Sequence, residues 1–127
     1  MKQLVISIVI TIFLLGGWLL FFIYAENTID DYTQYIKYSL LPTIESDSWD
    51  IGMSKMSFLE NQWHDFRKIA LFFLDTETLN EIDYSIARAS KYIKSEDISN
   101  SSGELNAIIE QLTFLSQNEK LNLNNIF

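Results

Sequence analysis

The sequence predicts an all-α protein in which an N-terminal transmembrane helix continues into an antiparallel helical hairpin array or small bundle. Residues 4–25 form an uncharged run of 22, long enough to cross a bilayer core as a helix. Apolar residues in the rest of the chain recur at steps of three and four, the rhythm of a buried helix face. Two Thr/Ser-x-x-Glu segments also stand near the start of such stripes, as helix capping boxes do.

The apolar run is longer than the h-region of a signal peptide, about 7–15 residues. Ile23 also stands where a second small residue would be wanted before a cut at Ala25. No Glu interrupts the start of the run, as the pilin pattern would require. We therefore read residues 1–25 as an uncleaved anchor contacting the lipid bilayer through residues 4–25. Lys2 and the amino terminus favour a cytoplasmic N-terminus and an extracytoplasmic C-terminal domain in the cell membrane. Trp18, Phe21, Phe22 and Tyr24 gather at the outer end, where amphipathic rings prefer the headgroup zone. Ser7, Thr11, Gly16 and Gly17 fit either ordinary span composition or docking against a partner's helix.

Residues 26–127 form an acidic domain with 8 basic against 17 acidic residues, a formal −9. Its helices are expected at about 26–41, 48–74, 78–94 and 102–117, followed by a short tail. Ile29, Tyr32, Ile36 and Leu40 carry the first helix above the membrane until Pro42, which removes a backbone donor, ends it. Trp49, Met53, Met56, Leu59, Trp63, Phe66, Ala70 and Phe73 make the second stripe, with Asp47 or Ser48 as cap and Gly52 as a small cost. Thr78 and Glu81 open a third helix with Leu79, Ile82, Ile86, Ala89 and Ile93 inward. After the turn-rich SEDISNSSG, Ser101 and Glu104 open a fourth around Leu105, Ile108, Leu112 and Leu115. Spacing leaves a bundle and stacked hairpins equally open.

The anchor, Trp49 and Trp63, the run LFFLDTETLNEIDYSIARASKYI and the ending LNLNNIF together resemble a small membrane-anchored bacterial family. That family is known as a domain of unknown function, number four-three-six-three. Phe73, Asp75, Glu77, Leu79, Glu81 and Ile82 carry the most specific part, although Thr76 stands where the family often has His. The resemblance implies a single-pass protein of Gram-positive-type, spore-forming bacteria with a helical domain. It further implies a multi-pass membrane protein as neighbour.

Chemistry-bearing residues are sparse. There is no cysteine, hence no thiol nucleophile, disulfide or thiolate metal site. The acidic balance argues against nucleic acid. His64 and Asp65 are adjacent on a helix, so they point about 100° apart and cannot readily serve one substrate. Glu45, Asp47 and Asp50, like Asp30 and Asp31, lack calcium-loop spacing and read as solvated or capping carboxylates. No catalytic residue, metal or cofactor is therefore expected.

Tyr32, Tyr35 and Tyr38 instead form a slowly turning ridge just outside the membrane. With Ile126 and Phe127 at the C-terminal end, they are the candidate partner-binding residues. The simpler reading is that the ridge covers helices 2 and 4 of the same chain. The expected function is a non-enzymatic membrane-anchored module that binds or braces another envelope protein, or a second copy of itself. The alternative is an extracytoplasmic small-ligand sensor with its site in a gap between helices.

Overall fold

The computed structural model describes residues 1–126, with side chains described for residues 1–118. Among the described residues the chain is helical, without strands. Four helices follow one another: α1 (Lys2–Glu45), α2 (Trp49–Ala70), α3 (Thr76–Lys94) and α4 (Ile98–Ile126). Turns of three to five residues join them, so neighbours run antiparallel. Each helix packs on the next, and α4 packs on both α3 and α1. This closed ring of contacts makes the array a four-helix bundle. We call the end at residues 46–48 the top and the end where α1 enters the bundle the base.

The first helix does not stop at residue 41. It passes through Pro42 to Glu45 by widening into a π-helical turn over Ile36–Leu40, where the Leu41 amide reaches back to the Ile36 carbonyl. A proline ring clashes with the carbonyl one α-turn earlier, and the wider turn is a recognised way to relieve that clash inside a helix. The same turn keeps the inward stripe in register. Tyr32, Ile36, Leu40 and Ile44 are spaced by fours, which in an ideal α-helix drifts about 40° per step. All four are nonetheless buried. The Ser39 carbonyl accepts from the Thr43 hydroxyl (2.7 Å) and the Lys55 ammonium of α2 (3.3 Å).

The core starts inside the apolar run rather than after it. Phe21, Phe22 and Ala25 are buried with Ile29 and the rest of the inward stripe, whereas Leu4 through Leu20 are almost wholly exposed. The bundle therefore begins at Phe21, not at residue 26. The expected stripes of α3 and α4 are all buried, from Leu79 to Ile93 and from Leu105 to Leu115. On α2, Met56, Leu59, Trp63, Phe66 and Ala70 are buried, with Trp49 and Met53 partly so. Gly52 lies where α1 and α2 close together; a Cβ there would sit 3.4 Å from Ile44.

Helix ends fall elsewhere than the capping-box spacing predicts. Helix α2 stops at Ala70, because the Phe72 and Phe73 amides turn back to the Ile69 and Ala70 carbonyls and Asp75 at once caps α3. Asp75 accepts from both the amide and the hydroxyl of Thr78, so Thr78 is the partner of the cap rather than the cap. Asp97 likewise accepts from the Asn100 amide (3.0 Å) and starts α4 at Ile98. Ser101, expected as the cap, is buried and donates to the Asp97 carbonyl within the first turn. Carboxylates outcompete hydroxyls here because they carry full charge at the positive end of the helix dipole. The fourth helix also continues beyond 117, to Ile126.

Helices α1 and α3 end in the same way. The amides of Asp47 and Ser48 bond to the carbonyls of Ile44 and Thr43, and those of Glu96 and Asp97 bond to Ile93 and Tyr92. Both are Schellman endings, yet the left-handed position holds Asp47 (φ 59°) or Glu96 (φ 57°) instead of glycine. A side chain at such φ costs on the order of 1 kcal/mol, less for Asp than for longer residues. Glu96→Gly should therefore raise stability by about 1 kcal/mol, and Asp47→Gly by less. Urea unfolding of the full chain in detergent micelles, followed by tryptophan fluorescence, measures both.

Polar contacts register α2 against α3. Asp83 accepts from the Trp63 indole N–H with one oxygen (2.6 Å) and pairs with the Arg67 guanidinium through the other. Arg67 also donates to Asn80 (2.6 Å). Removing the carboxylate strands a buried indole donor and a half-buried cation. Asp83→Ala should cost about 2 kcal/mol in the same unfolding measurement, and Asp83→Asn, which keeps an acceptor, clearly less.

Candidate partner-binding surface

The tyrosine ridge divides where α1 meets α2. Tyr32 turns inward, is buried, and donates its hydroxyl to the Gln62 carbonyl (2.8 Å). Its ring lies edge-on to Trp63 and Phe66, with centroids 6.3 and 5.9 Å away. Tyr35 is half-buried, reaches the Lys55 carbonyl (3.4 Å) and packs against Phe58 at 5.6 Å. Tyr38 is exposed, with the Lys37 ammonium 5.6 Å from its ring centre. The α-helical drift of about 60° per three residues accounts for this split, since three such residues span more than one face.

Below the top turn the gap between α1 and α2 is bridged by rings rather than by close backbone approach, and a groove of about 480 Å³ opens along it. Its α1 wall is Tyr24, Thr28, Asp31 and Tyr35; its α2 wall is Phe58, Gln62, Asp65 and Ile69. Tyr32, Leu59 and Phe66 complete the lining. Each wall is a helix face at steps of three and four, offset from the inward stripe. These walls are legible in the spacing once the core stripe is fixed, but they mix aromatic, polar and charged residues, so hydropathy alone does not single them out. Exposed Phe58, and exposed Ile51 two turns earlier on the same face, add apolar area.

Burial above all, then the neighbouring Tyr24, Asp65 and Asp31, pushes the Tyr32 hydroxyl well above the ordinary phenol range. Burial alone raises that of Tyr35. A phenol losing its proton in this groove would be a buried anion beside two carboxylates, which explains the direction.

A second, more polar cleft of about 350 Å³ lies between α1 and α4. Glu26, Asn27, Asp30 and Thr33 line it on one side, Thr113, Ser116 and Gln117 on the other. Thr33 and Thr113 donate to carbonyls of their own helices, and Asp30 accepts from Gln34. His64 and Asp65 are both exposed on α2. Among the described residues no three His, Asp or Glu side chains gather into a metal-binding group. Asp47 serves as the left-handed residue of a helix ending, with Glu45 in the last turn before it. Phe127 and the side chain of Ile126 lie outside the described residues.

The sequence matches the family described as Domain of unknown function (DUF4363) over residues 21–126. The chain belongs to the DUF4363 family. No curated protein and no solved structure matches it. The DUF4363 match begins at Phe21, the residue at which burial of α1 begins. The last apolar turns of α1 are thus part of the DUF4363 domain, and the groove lies wholly within it.

The raised Tyr32 hydroxyl has a definite consequence for stability. Its folded pKa lies above the unfolded value of 10.0, so its contribution is complete below pH 10 and is lost as pH rises beyond it. Titration of this DUF4363 protein with base should show stability falling from about pH 10. In Tyr32→Phe that alkaline limb should be shallower, with a lower plateau at neutral pH from loss of the bond to Gln62. Unfolding midpoints measured from pH 8 to 11 test this.

Proposed function

We propose that this DUF4363 protein is a non-enzymatic, single-pass membrane module that binds or braces another envelope protein. In this reading residues 4–25 of α1 sit in the cell membrane, with the N-terminus cytoplasmic and the bundle extracytoplasmic. One helix near the N-terminus is long and apolar enough to span a membrane, and Lys2 is the only charged side chain before Glu26. The partner in this reading is a membrane protein, the class that the resemblance implies for a neighbour.

The observation that carries the reading is the position of the α1–α2 groove directly above the exposed apolar part of α1, on a helix that enters the bundle without a linker. A flexible tether would let the bundle face any direction. A continuous helix holds the groove at one height above the membrane, which is useful only if something is held there. Aromatic walls around Asp31 and Asp65 suit an amphipathic helix with apolar anchors at steps of three and four and a Lys or Arg between them. Interfaces favour tyrosine and phenylalanine because their area comes at little conformational cost.

The small-ligand reading finds its support in the α1–α4 cleft. That cleft is open, and two of its hydroxyls are committed to their own helices, so it supports the reading less.

A photo-crosslinking residue at Phe58, in native membranes, should yield one dominant adduct with a membrane protein. The same residue at Tyr84, exposed on α3, should not. Reversing the groove's charge with Asp31→Lys and Asp65→Lys should reduce the Phe58 adduct about tenfold, the equivalent of 1.4 kcal/mol. Equal yields at both positions, or indifference to the charge reversal, would overturn the assignment of the groove.

A further inference from the structure

Among the described residues of the bundle, the turn between α2 and α3 presents the most exposed aromatic ring. Phe72 is 84% exposed, with Leu71 and Phe73 at about half that and Ile69 at 47%. The chain carries no charge from Ile69 through Leu74, between Lys68 and Asp75. A turn of this kind costs free energy in water, and soluble domains rarely gather such residues at one tip.

The turn's position says what covers it. The Phe73 ring stacks on the Phe21 ring of α1, centroids 4.2 Å apart and planes 18° from parallel. Phe21 lies inside the uncharged run, four residues before its end at Ala25. The turn therefore sits beside α1 at a level that α1 itself passes while still apolar. A hydrocarbon core about 30 Å thick needs nearly all of a run whose 22 residues measure about 33 Å. If the bilayer stopped at Leu20, the 17 residues from Leu4 would provide only about 26 Å. A bilayer matched to the run thus reaches past Phe21 and takes in the turn, to a depth of about 3–6 Å for a core of about 30–33 Å.

We infer that the α2–α3 turn inserts into the outer lipid interface, with Phe72 and Leu71 among the acyl chains, as a second membrane contact beside α1. This rests on reading α1 as the anchor. Bulky aromatic residues at this depth are at home in the interfacial zone, as they are on peripheral amphipathic segments. Two contacts do what one cannot. A single helix leaves the bundle free to rotate about the helix axis, whereas a helix plus a turn fixes its rotation and tilt. Lys68, exposed just above the turn, stands at headgroup height.

The absence of cysteine makes the test direct. The full chain, carrying a nitroxide at Phe72→Cys, is reconstituted in phosphatidylcholine–phosphatidylglycerol vesicles. Collisions with oxygen, which partitions into lipid, are compared with collisions with a water-soluble nickel complex. Labels at Phe13→Cys in the apolar part of α1 and Tyr84→Cys on α3 provide the references. The Phe72 label should resemble Phe13, with oxygen collisions severalfold favoured, and differ from Tyr84. A Phe72 label that behaves like Tyr84, or is shielded from both reagents, while Phe13 reads lipid, overturns the inserted turn and leaves the anchor standing. If Phe13 also reads water, the anchor reading fails and the insertion with it.

Discussion

The continuity of α1 is the constraint on which the other parts depend. One helix is both the apolar post and a quarter of the bundle's core, and its buried stripe runs without a break from Phe21 to Ile44. A hinge anywhere along it would cut that stripe into two faces that no longer point at the same neighbours. The π-helical turn is the local solution that lets the chain carry Pro42 and keep one face inward. Lys55 and Thr43 then satisfy the carbonyl of Ser39 beside it. In this sense the top of the bundle is organised around a proline that does not break its helix.

The apolar stripes were legible in the sequence because burial imposes a period that hydropathy displays directly. Every apolar position expected inward on α3 and α4 is buried. The helix ends were harder to read, because ends are settled by competition among neighbouring groups. Thr78 and Ser101 satisfy a capping-box pattern, but Asp75 and Asp97 stand three and four residues earlier with stronger acceptors. Pro42 misled for a related reason. The rule that it ends a helix assumes an α-turn before it, whereas a wider turn removes the clash. The left-handed positions at Asp47 and Glu96 left no glycine to mark them.

The groove was legible only in part. The tyrosine spacing pointed to the right stretch of α1, but a ridge broader than one face had to be shared between core and surface. Which ring went where depended on α2: Gln62 and Lys55 offer carbonyls that receive Tyr32 and Tyr35, and nothing comparable receives Tyr38. The boundary at Phe21 was hidden for a different reason. An apolar residue on an exposed helix face and one facing a protein core look alike in sequence, so a run whose end is buried in the bundle reads as one segment.

Charge gives the apolar base a reason to exist. With 17 acidic residues and 8 basic ones beyond residue 25, the bundle would be repelled by an anionic membrane surface within the screening length of about 8 Å. Nearby cations offer little relief, because Arg67 is committed to Asp83 and Asn80 and Lys68 is a single charge beside Asp65. Electrostatic attraction of the polybasic kind therefore cannot hold this domain close to lipid or orient it. Apolar contact is insensitive to salt and to the sign of the surface, and it acts only where the rings actually lie. A bundle held by α1 and steadied by Phe72 would keep its acidic faces directed away from the membrane and the α1–α2 groove at a constant height above it. In this proposed arrangement the acidic surface would repel unsuitable neighbours, while the groove with Asp31 and Asp65 would admit a basic, amphipathic one.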